Sequence, residues 1–165
     1  MRTLKKVLCV VLSLAMVLGM AVTANAAFTA GDVDAKYKEA VTVMNALGVL
    51  AGDANGNFNA KDPLTREQAA KLVAYLDLGN TAAEKVQAEA IFGDVAVTDW
   101  SAKYVTYCAS KGYVAGTGNG KFNPDGNVTG YEFGKMLLGA LGYKSEYEGL
   151  TGTNWAINTA KLMKS

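Results

Sequence analysis

The sequence predicts an all-α protein built from tandem helix–loop–helix repeats, with a third repeat left incomplete. Three observations carry this reading. Slid against itself by 64 positions, the chain matches 28–79 to 92–143 without a gap, with 13 identities in 52 positions. In each copy, apolar residues recur at helical spacing in two separate stretches. Each second stretch opens with Ser/Thr-x-x-Glu/Gln, the pattern by which a helix start satisfies its orphan backbone donors.

Residues 1–26 read as a secretory leader rather than as part of the fold. Arg2, Lys5 and Lys6 precede an apolar run from Val7 to Leu18, and Ala24-Asn25-Ala26 offers the small-x-small pattern of a cleavage site. The apolar stretch is short for a membrane span, and no charged stop-transfer flank follows it, so no membrane attachment is expected after cleavage. Removing the leader leaves 13 basic and 15 acidic residues, with Cys108 as the remaining cysteine. A mature chain with one cysteine has no intramolecular disulfide, and Cys108 lies at a core position of its helical stripe.

In the first copy, 28–79, Tyr37, Ala40, Val41, Met44 and Leu47 form the stripe of an entry helix that Gly48 ends. A turn-rich loop follows, Gly52-Asp53-Ala54-Asn55-Gly56-Asn57, with Phe58 as the aromatic that pins it down. Thr65-Arg66-Glu67-Gln68 then caps a second helix with Ala69, Leu72, Val73 and Leu76 on its apolar face. A linker, 80–91, leads to the second copy, 92–143. There Trp100, Tyr104, Val105 and Cys108 repeat the first stripe and Gly112 the stop; Phe122 repeats the plug. Thr129-Gly130-Tyr131-Glu132 caps the next helix, which carries Phe133, Met136, Leu137 and Ala140. Tyr147 and Trp155 reproduce the spacing of Phe92 and Trp100, so 147–165 is a third copy holding only its entry helix. A single hairpin of this size cannot bury both of its stripes, so neighbouring copies must complete one core.

The chemistry-bearing residues exclude more than they offer. With no His among 165 residues, the chain lacks the side chain most used for acid–base work near neutral pH. Two cysteines cannot make a thiolate zinc site, and 16 basic against 15 acidic residues is no footprint for nucleic acid. A calcium-loop reading of Asp53, Asn55 and Asn57 meets Leu64 at the twelfth position, and Lys121 stands in the equivalent second loop. The carboxylate pairs Asp32/Asp34 and Glu146/Glu148 do not recur at matched sites, which leaves them solvated rather than catalytic. The glycines of 116–120 have neither the strand nor the Gly-Lys-Ser/Thr ending of a phosphate loop. No enzyme, cofactor or metal site is expected.

Arg66 stands apart. A cation in the first turn of a helix opposes the helix dipole, so helix stability gives little reason for it. A fork of donors beside backbone N–H groups suits a carboxylate or phosphate ligand, whereas a plain solvated arginine is the alternative. Trp100 and Trp155 recur at helix starts, either as core residues or as platforms on which a sugar ring stacks.

Taken together, these residues resemble the S-layer homology (SLH) family. The resemblance runs through Phe92-Gly93-Asp94-Val95, Asp99-Trp100-Ser101, Lys111-Gly112-Tyr113-Val114-Ala115-Gly116 and Asn119-Gly120-Lys121-Phe122-Asn123-Pro124. In the first copy it extends to Asp62-Pro63-Leu64-Thr65-Arg66-Glu67-Gln68, similar to the family's Thr-Arg-Ala-Glu motif. It implies an exported protein of the bacterial cell surface, non-covalently bound to secondary cell-wall polysaccharide, often pyruvylated. It further implies three copies in a pseudo-threefold bundle, with ligand grooves between copies. By position, Arg66 would grip the acidic sugar, Thr65 would cap its helix, and Trp100, Asp99 and Gly116 would line a groove.

This sequence departs from the family pattern in that Gly130 occupies the arginine site of the second copy and Lys36 the tryptophan site of the first. Two other readings therefore stay open: a structural or protein-interaction module without polymer binding, and the anchor region of a larger surface enzyme. Arg66→Ala is expected to weaken wall binding with helix content intact. The half-built third copy is expected to leave apolar surface near Trp155 and Met163, open to self-association.

Overall fold

A computed structural model describes residues 28–164. The expected leader lies outside them. Six helices follow in order: α1, Ala35–Ala46; α2, Arg66–Leu78; α3, Asn80–Ala83; α4, Ala102–Ser110; α5, Gly130–Ala140; and α6, Trp155–Leu162. Extended pairing among the described residues is confined to isolated bridges, so the fold is all-α. None of these helices is long and apolar enough to cross a membrane.

Both capping boxes form. The Thr65 hydroxyl accepts from the Gln68 N–H, and Gln68 Oε1 accepts from the Thr65 N–H at 3.0 Å. Thr129 and Glu132 reproduce the arrangement at α5. At the other end of the entry helices, Gly48 and Gly112 take φ of 71° and 74°, a conformation that L side chains adopt only with strain.

Packing follows one rule. Each entry helix lies against the capped helix of the copy before it: α4 on α2, and α6 on α5. The capped helices α2 and α5 also touch each other, which makes α2 the hub. Its Ala69, Ala70, Val73 and Ala74 are fully buried, and α4 offers Ala102, Val105 and Cys108 in return. Small side chains on α2 let neighbouring helices approach closely. The Cys108 thiol donates to the Ala70 carbonyl at 3.3 Å, and burial pushes its pKa up to about 12.

The same rule corrects the expected core stripe of α1. No capped helix precedes it among the described residues, and none of its residues is buried. Tyr37 is 56% and Leu47 63% exposed, with only Met44 packing against the core. Trp100 also departs from its stripe. It precedes α4 and stands half exposed, which excludes the core reading. On the third copy Ile157 and Met163 are exposed, whereas Trp155 is half-buried.

The linker is more structured than its composition implies. Within it, α3 packs on α2 with Ala83 fully buried. Glu84 then accepts from Lys103 Nζ and from the Tyr104 hydroxyl, each at 2.5 Å, and from the Tyr75 hydroxyl. Burial alone would raise the Glu84 pKa, but the hydrogen bonds from Lys103, Tyr104 and Tyr75 outweigh it and hold the carboxyl at about 2.

Candidate functional site

Stacking copies by this rule leaves a groove at each junction. The groove between the second and third copies encloses about 440 Å³ and is lined by Arg66, Tyr113, Gly116, Lys135, Met136 and Trp155, among others. It thus draws on all three copies. The Lys135 ammonium lies 5.6 Å from the centre of the Trp155 ring. Among the described residues it meets no carboxylate within ion-pair distance. Lys135 and Trp155 together present a cation beside an apolar ring face, a pairing suited to the carboxylate and the ring of an acidic sugar.

Arg66 lines this groove but is held by the protein itself. Its Nε donates to the Phe122 carbonyl and an Nη to the Ala115 carbonyl, each at 2.8 Å. The guanidinium stacks 4.7 Å from the Phe122 ring centre, and Glu132 stands 4.0 Å away. The Glu132 carboxyl is held below its ordinary pKa by hydrogen bonds from Thr129, with Arg66 adding to them. Nor are the first amides of α2 free for an anion: those of Arg66 and Glu67 donate to the carbonyls of Gly126 and Pro124. The arginine is first a staple between copies, and what remains of its charge faces the groove. This answers why a cation sits at the start of a helix: two carbonyls of the next copy outweigh the unfavourable dipole.

The groove between the first and second copies is larger, about 740 Å³. Lys71 and Trp100 stand here as Lys135 and Trp155 do in the other, with the ammonium 5.9 Å from the indole centre. Lys71 also faces the Tyr75 and Tyr104 rings at 5.2 and 5.8 Å. The charge balance differs. Asp53 and Asp62 line this groove, and no arginine does.

The residues singled out from the sequence therefore do not form one cluster. Arg66 and Gly116 meet at the smaller groove and Trp100 lies at the larger. Thr65 is the cap of α2 and lines neither. Asp99 also lies outside both, its carboxylate accepting from the Ala96 N–H at 2.8 Å in the turn before α4. Gly116 owes its size to packing. A Cβ there would come within 2.7 Å of the Lys121 carbonyl oxygen and 2.9 Å of the Phe92 ring. Sequence reasoning missed Lys71 and Lys135 as site residues, although their identity at the repeat offset was the available signal. Among the described residues no group of three or more His, Cys, Asp or Glu stands ready for a metal ion. Asp53 instead accepts from the N–H groups of Asn55 and Asn57 and from the Asn59 amide.

Comparison with known proteins identifies the family. The family model described as S-layer homology domain matches residues 31–70 and 91–133. A surface layer protein of Brevibacillus choshinensis is 33% identical over 152 residues, covering 90% of this chain and 14% of that protein. A middle cell wall protein of Brevibacillus brevis is 33% identical over 152 residues, covering 89% of this chain and 14% of its own length. An amylopullulanase of Thermoanaerobacterium thermosulfurigenes is 31% identical over 107 residues, covering 64% of this chain and 6% of the enzyme. The chain thus spans about a seventh of the first two relatives. With two matched repeats, stacked all-α hairpins and grooves at their junctions, the chain belongs to the S-layer homology domain family.

Proposed function

We propose that this cell-surface chain anchors to the bacterial wall by holding an acidic secondary polysaccharide in the groove between its second and third copies, without catalysis. The observation that carries the reading is the Lys135–Trp155 pair. It sets an ammonium with no described carboxylate partner beside an indole face, in a cleft of about 440 Å³. The lysine supplies the charge for an acidic substituent and the indole stacks on the ring that bears it. Arg66 contributes field at the rim, and its principal bonds fix the loop that forms one wall. Pyruvyl groups are one source of the acidic charge.

Retention on purified walls tests this. The chain is expected to sediment with intact walls and to stay in solution when their secondary polymer has been stripped. Lys135→Gln, at a half-buried surface position, is expected to weaken retention about tenfold or more with an unchanged melting temperature. Equal retention on intact and stripped walls would overturn the proposal and favour a protein-interaction module.

A further inference from the structure

The loop of the second copy does more than receive the Arg66 side chain. The N–H groups of Arg66 and Glu67 donate to its Gly126 and Pro124 carbonyls at 2.8 and 3.1 Å, and its Val128 N–H donates to the Leu64 carbonyl at 2.9 Å. With the bonds to Ala115 and Phe122, this loop is a socket for the start of a capped helix. The repeat offset of 64 carries the socket onto the first copy. Ala51, Phe58, Ala60, Asp62 and Leu64 stand there in place of Ala115, Phe122, Pro124, Gly126 and Val128.

Among the described residues, the carbonyls of Ala51, Phe58, Ala60 and Asp62 accept no hydrogen bond and the Leu64 N–H donates none. Among the same residues no cation lies over the Phe58 ring, whereas Arg66 lies over that of Phe122. All five residues line the groove of about 740 Å³, together with apolar side chains of the two capped helices, Leu72, Leu76, Phe133 and Leu137. The four carbonyls are open to donors on the rim, Ala51, Ala60 and Asp62 being exposed, and the apolar wall suits a helix face. Asp53 and Asp62, where the second copy has Thr117 and Gly126, add negative charge suited to a guanidinium.

We propose that this groove docks an amphipathic helix of a partner chain, one beginning with Thr-Arg or Ser-Arg, whose arginine takes the first-copy carbonyls as Arg66 takes those of the second. A second copy of this chain is a poor donor. Its one such helix start among the described residues is Thr65-Arg66, already docked on its own second copy. An acidic glycan is also disfavoured: Lys71 offers it one ammonium beside Trp100, but Asp53, Asp62 and the four carbonyls oppose it.

A synthetic peptide with the sequence of residues 62–80, titrated to millimolar concentration into isotope-labelled protein, tests the docking without involving the cell wall. Saturable amide shifts are expected at residues 51, 58–62 and 64 and on the groove side of α2 and α5. The same peptide with arginine replaced by alanine is expected to bind about tenfold more weakly. Leu76→Glu, a change at an exposed position, is expected to abolish the shifts while leaving the melting temperature unchanged. Absence of shifts, equal binding by both peptides, shifts confined to other faces, or a peptide-resistant dimer through this groove would each overturn the proposal.

Discussion

Replacing Arg66 tests the central structural claim, that one side chain staples successive copies. Arg66→Ala removes two 2.8 Å hydrogen bonds from a charged donor and a stack on the Phe122 ring. Bonds of that type contribute about 1.5 kcal/mol each, and the stack about 0.5 kcal/mol. The freed carbonyls regain some water at the groove mouth, which lowers the net loss to about 2–3 kcal/mol. At about 3 °C per kcal/mol for a chain of this size, the melting temperature falls by about 6–9 °C. Urea unfolding followed by circular dichroism measures the difference directly, and the helical signal at 25 °C is expected to match the wild type. Arg66→Lys keeps the charge but not the planar fork, so about half the loss is expected. A variant within about 0.5 kcal/mol of the wild type would refute the staple and return the arginine to the surface.

Two further outcomes follow from the geometry. Glu84 has its pKa depressed in the folded state to about 2, from an ordinary value of 4.5, so its stabilisation is fully present above pH 4.5 and lost as pH falls toward 2. Because the carboxylate is 45% exposed, the effect is discounted to about 1 kcal/mol, and Glu84→Gln should flatten the stability–pH curve across that window. An unchanged curve would show that the bonds from Lys103, Tyr104 and Tyr75 do not depress the Glu84 pKa. Gly116→Ala pushes a methyl to 2.7 Å from the Lys121 carbonyl oxygen, and a destabilisation of about 1–3 kcal/mol is expected by urea unfolding. A neutral substitution would show that the loop yields more easily than its contacts imply.

Much of the fold was legible along the chain because it rests on local rules. The Ser/Thr-x-x-Glu/Gln signals marked two helix starts to the residue, and both capping boxes form. Gly48 and Gly112 marked the ends, since the positive φ found there costs glycine no steric strain. The stripe on α1 misled for the opposite reason. Spacing defines an apolar face, but burial needs a neighbour, and none of the described helices covers α1 as α2 covers α4.

The sequence by itself determined the repeat, its helices and its turns, because capping, helical periodicity and glycine backbone freedom act within a few residues. Tertiary packing alone decided which side chains share a groove. It drew Arg66 onto carbonyls 49 and 56 residues away, parted it from Trp100, and set Lys135 beside Trp155. Those choices depend on how one copy stacks on the next, a relation between distant segments that no local pattern encodes.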